Sequence, residues 1–162
     1  MAVIKLQTFI EAPVANCFNL ARSIDVHVES MHSHREKAIA GITKGLIHLN
    51  EAVTWKAMHF CLPFKMTVKI IELNDPGYFV DAMTVGPFKY MRHYHAFWPQ
   101  PHGTLMEDEF VFRSPLGHLG NMIDKWLLKP YLTKLLQRRN LYIKQAAENA
   151  LNNRTIPFTC SR

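Results

Sequence analysis

The sequence predicts an α+β fold: one strongly curved antiparallel sheet of six or seven strands wrapped around a long C-terminal helix. Three observations predict it. Apolar residues recur with period two from Lys37 to Phe112, and the spacing turns helical from about Asn121 onward. The period-two runs are separated by Asn74-Asp75-Pro76-Gly77, Gly86-Pro87 and Pro99 to Gly103, which read as turns of a meander.

Taken in order, Val3 to Ile10 alternates as a first strand, and Pro13 suits the first turn of a helix that presents Val14, Cys17, Phe18 and Ala21 on one face. Ser23 reads as the N-cap of a second short helix. Lys37 to Gly41 and Gly45 to Leu49 then form a broken strand with glycines at its ends. In the next strand Val53, Trp55, Ala57 and His59 share a face, and past Pro63 so do Phe64, Met66, Val68 and Ile70. Phe79, Asp81, Met83 and Val85 follow, then a long strand from Phe88 to Trp98 and a last one from Thr104 to Phe112. The helix, Asn121 to about Leu151, carries Met122, Ile123, Trp126, Leu127, Tyr131, Leu135, Tyr142 and Ala146 at helical spacing, with Pro130 set to bend it. Residues 1–151 thus read as one domain and 152–162 as a frayed tail. One helix cannot fill the concave side of so wide a sheet, so a cavity between them is expected.

A chain of 162 residues, 48% hydrophobic and 20% charged, suits a single globular domain. Cys17, Cys61 and Cys160 show neither CxxC pairing nor metal-like spacing, which suits free thiols in a reducing, cytoplasmic setting. No secretory leader is legible in MAVIKLQTFI, and no run of about 18 apolar residues occurs, so stable membrane insertion is not expected. The net charge of +6 gathers on the C-terminal helix, at Lys125, Lys129, Lys134, Arg138, Arg139 and Lys144, where it reads as a solvated face. Nucleic acid is not an expected partner, because the aromatic residues alternate in strands instead of interleaving with the basic ones. The composition leaves a homodimer open.

Several stretches resemble the START-like (SRPBCC) superfamily of helix-grip proteins, in particular its bacterial polyketide cyclase/dehydrase-like and ligand-binding members. These are Ile10-Glu11-Ala12-Pro13, Phe79-Val80-Asp81, Gly86-Pro87-Phe88, Arg92-His93-Tyr94-His95, Gly103-Thr104-Leu105-Met106 and Ser114-Pro115-Leu116-Gly117. The likeness spans residues 1 to about 150 and implies a deep hydrophobic cavity for lipids, polyketides or other apolar molecules, with no cofactor. It carries over no catalytic residue.

The strand faces then nominate a site. Trp55, His59, Met66, Met83, Met91, His93, His95, Met106, Asp108 and Phe110 are the candidate ligand-binding residues. Trp55, Met66, Met83, Met91, Met106 and Phe110 are expected to supply at least half of the sheet-side wall. If residues 85 and 89 pair across one turn and 97 and 104 across the next, then Asp81, His93 and Asp108 fall in one transverse row. Such a row could orient a ligand hydroxyl or carbonyl, or act as general acid and base in a cyclase/dehydratase-type enzyme. The plainer reading is a set of polar residues hydrogen-bonded among themselves. Binding is favoured over catalysis. A metal site from His93, His95 and His59 is not expected, since its third ligand would have to come from a non-adjacent strand. His27, His32 and His34 read as surface or lid residues.

Overall fold

In the computed structural model, which describes residues 1–60, 62–115 and 117–152, the period-two segments form one seven-stranded antiparallel sheet. Strand β1 (Ala2–Ile10) leads into α1 (Val14–Ala21), α2 (Ile24–Ser30) and a 3₁₀ turn (His32–His34). Strands β2 (Lys37–Gly41), β3 (Ala52–His59), β4 (Leu62–Asn74), β5 (Tyr78–Val85), β6 (Tyr90–Gln100) and β7 (Gly103–Arg113) follow as a meander. Then come α3 (Gly117–Ile123), a π turn (Asp124–Leu128) and α4 (Lys129–Asn152). The sheet order is β1-β7-β6-β5-β4-β3-β2, so β1 closes back onto β7 and the two edges are β1 and β2. Irregularities at Ala38/Ala40, Thr67/Val68 and Ile70/Glu72 increase the local twist and help the sheet curl around its contents.

Helix α1 caps one end of the concave face. Phe18 is fully buried and meets Phe79 and Phe97 edge-on, at ring distances of 5.8 and 5.5 Å. Ser23 caps α2 as its sequence suggests, accepting from the Val26 N–H at 3.3 Å.

Three expectations change. The segment 45–49 is not a strand: Gly45 has φ +75°, and its carbonyl and the Ile47 N–H bond to Ile24 and Arg22 instead of to the sheet. Strand β6 begins at Tyr90 and runs on through Pro99, because beyond Ala96 it pairs with β7 alone. The β6–β7 hairpin therefore turns at Pro101-His102, and Phe97 pairs with Met106 rather than with residue 104, a slip of two positions that keeps every side chain on its expected face.

The C-terminal helix starts at Gly117, earlier than its apolar spacing indicates. Pro130 neither breaks nor ends it. A proline clashes with the carbonyl four residues back, and here the backbone widens just before it, the Lys129 N–H donating to Asp124 O five residues earlier. That extra residue per turn shifts the buried stripe to Leu132, Leu136, Arg139, Asn140, Ile143 and Ala147, while Met122 and Trp126 face outward, the latter 74% exposed. Asp124, buried in the π turn, accepts from the Ser114 N–H at 3.0 Å and anchors the helix to the end of β7. At the far end Lys144 donates to Phe9 O at 2.7 Å. Cys17 is buried and unbridged; Cys61, Cys160 and the tail from residue 153 lie outside the described residues. Among those residues no helix is long and apolar enough to cross a membrane.

Candidate functional site

Between the helices and the concave face lies a cavity of about 450 Å³, within the range of small-molecule sites. Its floor comes from the strand faces that the alternation marks. Trp55, His59, Met66, Met91, His93, His95 and Phe110 line it, as does Asp81. Met83, Met106 and Asp108 lie outside the wall. Met106 is fully buried in the core and Met83 folds over Gly86, which has no side chain to oppose it. The six expected wall residues thus supply four, well short of half the floor, and the remainder includes Val53, Ala57, Val68, Ile70 and Phe79. Phe60 and Leu127, both about half exposed, mark where the cavity meets solvent.

One polar cluster interrupts the apolar floor. Asp81 sits opposite His93 in the β5–β6 register, as expected, but Asp108 sits opposite His95 because of the two-residue slip. The side chains cross over. His93 Nε2 is 2.8 Å from Asp108 Oδ1, and His95 Nε2 is 3.1 Å from Asp81 Oδ2. His95 Nδ1 also comes within 2.9 Å of Asp108 Oδ1, although too far off line for a well-formed hydrogen bond. From α4, Asn140 Nδ2 donates to Asp108 Oδ2 at 2.6 Å. Arg139 brings Nη1 to 3.8 Å from Asp108 Oδ1, while its Nη2 donates to Ala21 O at 2.8 Å. Aromatic rings fix the imidazoles: Phe79 stacks on His95 at 4.2 Å and Phe110 stands edge-on to His93 at 5.1 Å.

The electrostatics follow from burial and these contacts. Burial and the neighbouring His95 charge push His93 down to about 4, against the Asp108 hydrogen bond, so its imidazole is neutral near pH 7 and donates Nε2–H to Asp108. Burial alone would raise Asp108, but the His93 hydrogen bond and the nearness of both imidazoles hold it well below the usual carboxylate range. In Asp81 burial is likewise outweighed, chiefly by the His95 hydrogen bond.

A second polar group stands nearer the opening. His27, which its sequence context places on a surface or lid, stacks on Trp55 at 4.2 Å, and its Nε2 lies 3.1 Å from Glu36 Oε1. The Tyr131 hydroxyl and His59 Nδ1 are 2.7 Å apart. Burial raises the Glu36 carboxyl, yet the charge and hydrogen bond of His27, with help from His59 and His34, bring it below its ordinary value. A depressed carboxylate stabilises the fold above its unfolded pKa, and that stabilisation is lost as pH falls through the folded one. The Glu36→Gln variant should therefore melt below the native protein near pH 6, with the gap closing as pH falls below about 4. A gap independent of pH would show that Glu36 contributes by packing alone.

Arg139, Glu36, Asn140 and Tyr131 escape the sequence reading as site residues. Arg139 reads there as part of a solvated basic face, although its spacing of three from Leu136 and four from Ile143 is a usable signal that it shares their stripe.

Among solved structures, the chain is similar to TTHA0849 from Thermus thermophilus (TM-score 0.70, 14% identity), over 90% of this chain and 99% of that one. It is similar to major latex-like protein 151 from Panax ginseng (TM-score 0.67, 12% identity), over 90% and 97% of the two chains. It also matches the di-domain ARO/CYC StfQ from the steffimycin biosynthetic pathway (TM-score 0.73, 11% identity), over 93% of this chain and 51% of that one. The fold is the helix grip. At such identities the likeness is one of architecture. No family model matches the sequence, and no curated protein does. Within the helix-grip fold, the concave sheet supplies the floor of the cavity and α4 its roof, and the cluster of Asp81, His93, His95 and Arg139 lies where the two meet.

Proposed function

We propose that this helix-grip protein binds a small, mostly apolar molecule of lipid, polyketide or aromatic type that carries one oxygen-bearing end. The observation behind this reading is the polar cluster of Asp81, His93, His95 and Arg139 set in a largely apolar wall. The hydrocarbon part of such a ligand would lie against Trp55, Met66, Val68 and Leu136, and its oxygen would meet His93, His95 or Arg139, all of which line the cavity. Arg139 Nη1 is a buried donor with no hydrogen-bond partner, a group that a ligand carbonyl or carboxylate could satisfy.

Replacing His93 by Phe is expected to weaken binding of a polar-headed ligand such as 1-naphthol by about 1–3 kcal/mol, the usual cost of a lost buried hydrogen bond. Naphthalene should be affected much less. Equal losses, measured by calorimetric titration, would mean that the substitution had damaged the cavity and that His93 anchors nothing.

A second reading, an acid–base enzyme of cyclase or dehydratase type, draws on the His93–Asp108 pair at 2.8 Å, an imidazole oriented by a buried carboxylate beside the cavity. It gains some weight from the likeness to StfQ. Turnover of a polyketide-like substrate that is lost in the Asp108→Asn variant while binding persists would favour it over binding alone.

A further inference from the structure

The register of β5 on β6 has a chemical result beyond the row of polar residues. Asp81, His93 and His95 each offer a donor atom, and the three atoms lie within 4.8 Å of one another. An ion about 2.1 Å from each of three donors needs them roughly 3–4 Å apart, so small side-chain rotations close the set. His95 Nε2 and Asp81 Oδ2, at 3.1 Å, already stand at that spacing. The third ligand does not have to come from a distant strand. Asp81 is on the adjacent strand β5, in direct register with His93.

From the geometry we infer that Asp81, His93 and His95 form a binding site for a first-row divalent transition-metal ion, with open coordination positions facing the cavity.

Asp108 supports this from behind. Its Oδ1 is hydrogen-bonded to His93 Nε2 at 2.8 Å and lies 2.9 Å from His95 Nδ1, so one buried carboxylate stands behind both rings. Metal-binding histidines almost always give their second nitrogen to such a carboxylate or carbonyl, which fixes the tautomer and strengthens the ligand. Asp108 is itself held by Asn140 at 2.6 Å, and the rings by Phe79 and Phe110, so the donors are preorganised. The charges agree. Asp81 and Asp108 bring two negative charges into the cluster, and Arg139 is the only cationic side chain of Lys or Arg type in contact with it among the described residues. His95 lies between the two carboxylates, its Nε2 3.1 Å from Asp81 Oδ2 and its Nδ1 2.9 Å from Asp108 Oδ1.

Two imidazoles and one carboxylate suit zinc, cobalt, iron or nickel rather than magnesium or calcium. Three protein ligands with the remaining positions open to a cavity mark a site that binds a further molecule, not a closed structural one. The proposed ligand oxygen could then coordinate the ion. The metal site does not depend on that molecule, and the two readings can fail separately.

The test uses the full chain without a histidine tag, stripped by chelator and titrated with Co²⁺, whose visible absorption reports nitrogen and oxygen ligands. Saturation at one equivalent is expected, with Zn²⁺ displacing the colour. Asp81→Asn and Asp108→Asn should each weaken Co²⁺ about 10–100-fold, the first by removing a ligand and the second by releasing the two rings. His118→Ala, at an exposed position away from the cluster, should change nothing. Because a buried substitution could disturb folding, the native protein supplies a second readout: Co²⁺ should shift or broaden the methyl signal of Met91, which lines the cavity, and leave that of exposed Met122 sharp. Absence of saturable binding, binding indifferent to Asp81→Asn, or broadening confined to Met122 would overturn the site. Binding of 1-naphthol by the same metal-free samples would show that the cavity reading survives that failure.

Discussion

Replacing Asp108 by Ala is expected to lower the unfolding free energy by about 3–5 kcal/mol, the range for breaking a buried charged pair from one side. Asp108 is 2% exposed and accepts from His93 and from Asn140, whose donors would both be stranded away from water. Arg139 would lose the carboxylate nearest its guanidinium. Asn at the same position keeps one acceptor and should cost clearly less. Urea denaturation measures both, and a shift in midpoint with an unchanged slope would confine the effect to stability. A loss below about 1 kcal/mol for the Ala variant would mean that the crossed contacts among Asp81, His93, His95 and Asp108 do not hold β5, β6 and β7 to α4.

The second large effect is on binding. Ala57 lies on the cavity floor and is buried, and a Phe there would project its ring into the space between sheet and helix. The Ala57→Phe variant is expected to bind an apolar probe such as 1-naphthol more than about tenfold more weakly, a loss above about 1.4 kcal/mol. Its stability should change by no more than about 2 kcal/mol, because the ring enters existing space instead of overfilling a packed core. Met58→Phe, on the outer face of the same strand and about a third exposed, is the control and should leave both quantities alone. A severe loss of stability in Ala57→Phe with unchanged binding would place the probe elsewhere.

Side-chain alternation carries most of the architecture. Val53, Trp55, Ala57 and His59 on β3, and Phe64, Met66, Val68 and Ile70 on β4, reach the cavity floor with the parity their sequence indicates. Parity has a period of two, so it cannot detect a slip of two. That is why the sequence puts Asp108 opposite His93 when it pairs with His95. Asp81 stands opposite His93 as the sequence indicates, and what escapes the sequence is that its carboxylate reaches His95 as well, which makes it a third donor beside the two histidines. Met106 and Met83 show a different limit: a residue on the concave face can be covered by core or folded over a turn without touching the cavity. In the helix the π turn before Pro130 moves the fully buried stripe by about one position, from Tyr142 and Ala146 to Ile143 and Ala147, while Leu135 stays on the cavity wall beside Leu136. Arg139 is hidden for the same reason, since a basic residue in a basic run gives no sign of its face until the stripe is fixed.

The eight methionines allow the cavity reading to be tested in one titration. Met31, Met66 and Met91 line the cavity, whereas Met58 and Met122 lie outside it and are exposed. With methyl-labelled methionine, 1-naphthol should shift the Met31, Met66 and Met91 signals together along one saturable curve and leave Met58 and Met122 in place. Saturable shifts confined to Met58 or Met122, or no saturation at any methionine, would contradict a ligand held between the sheet and the C-terminal helix.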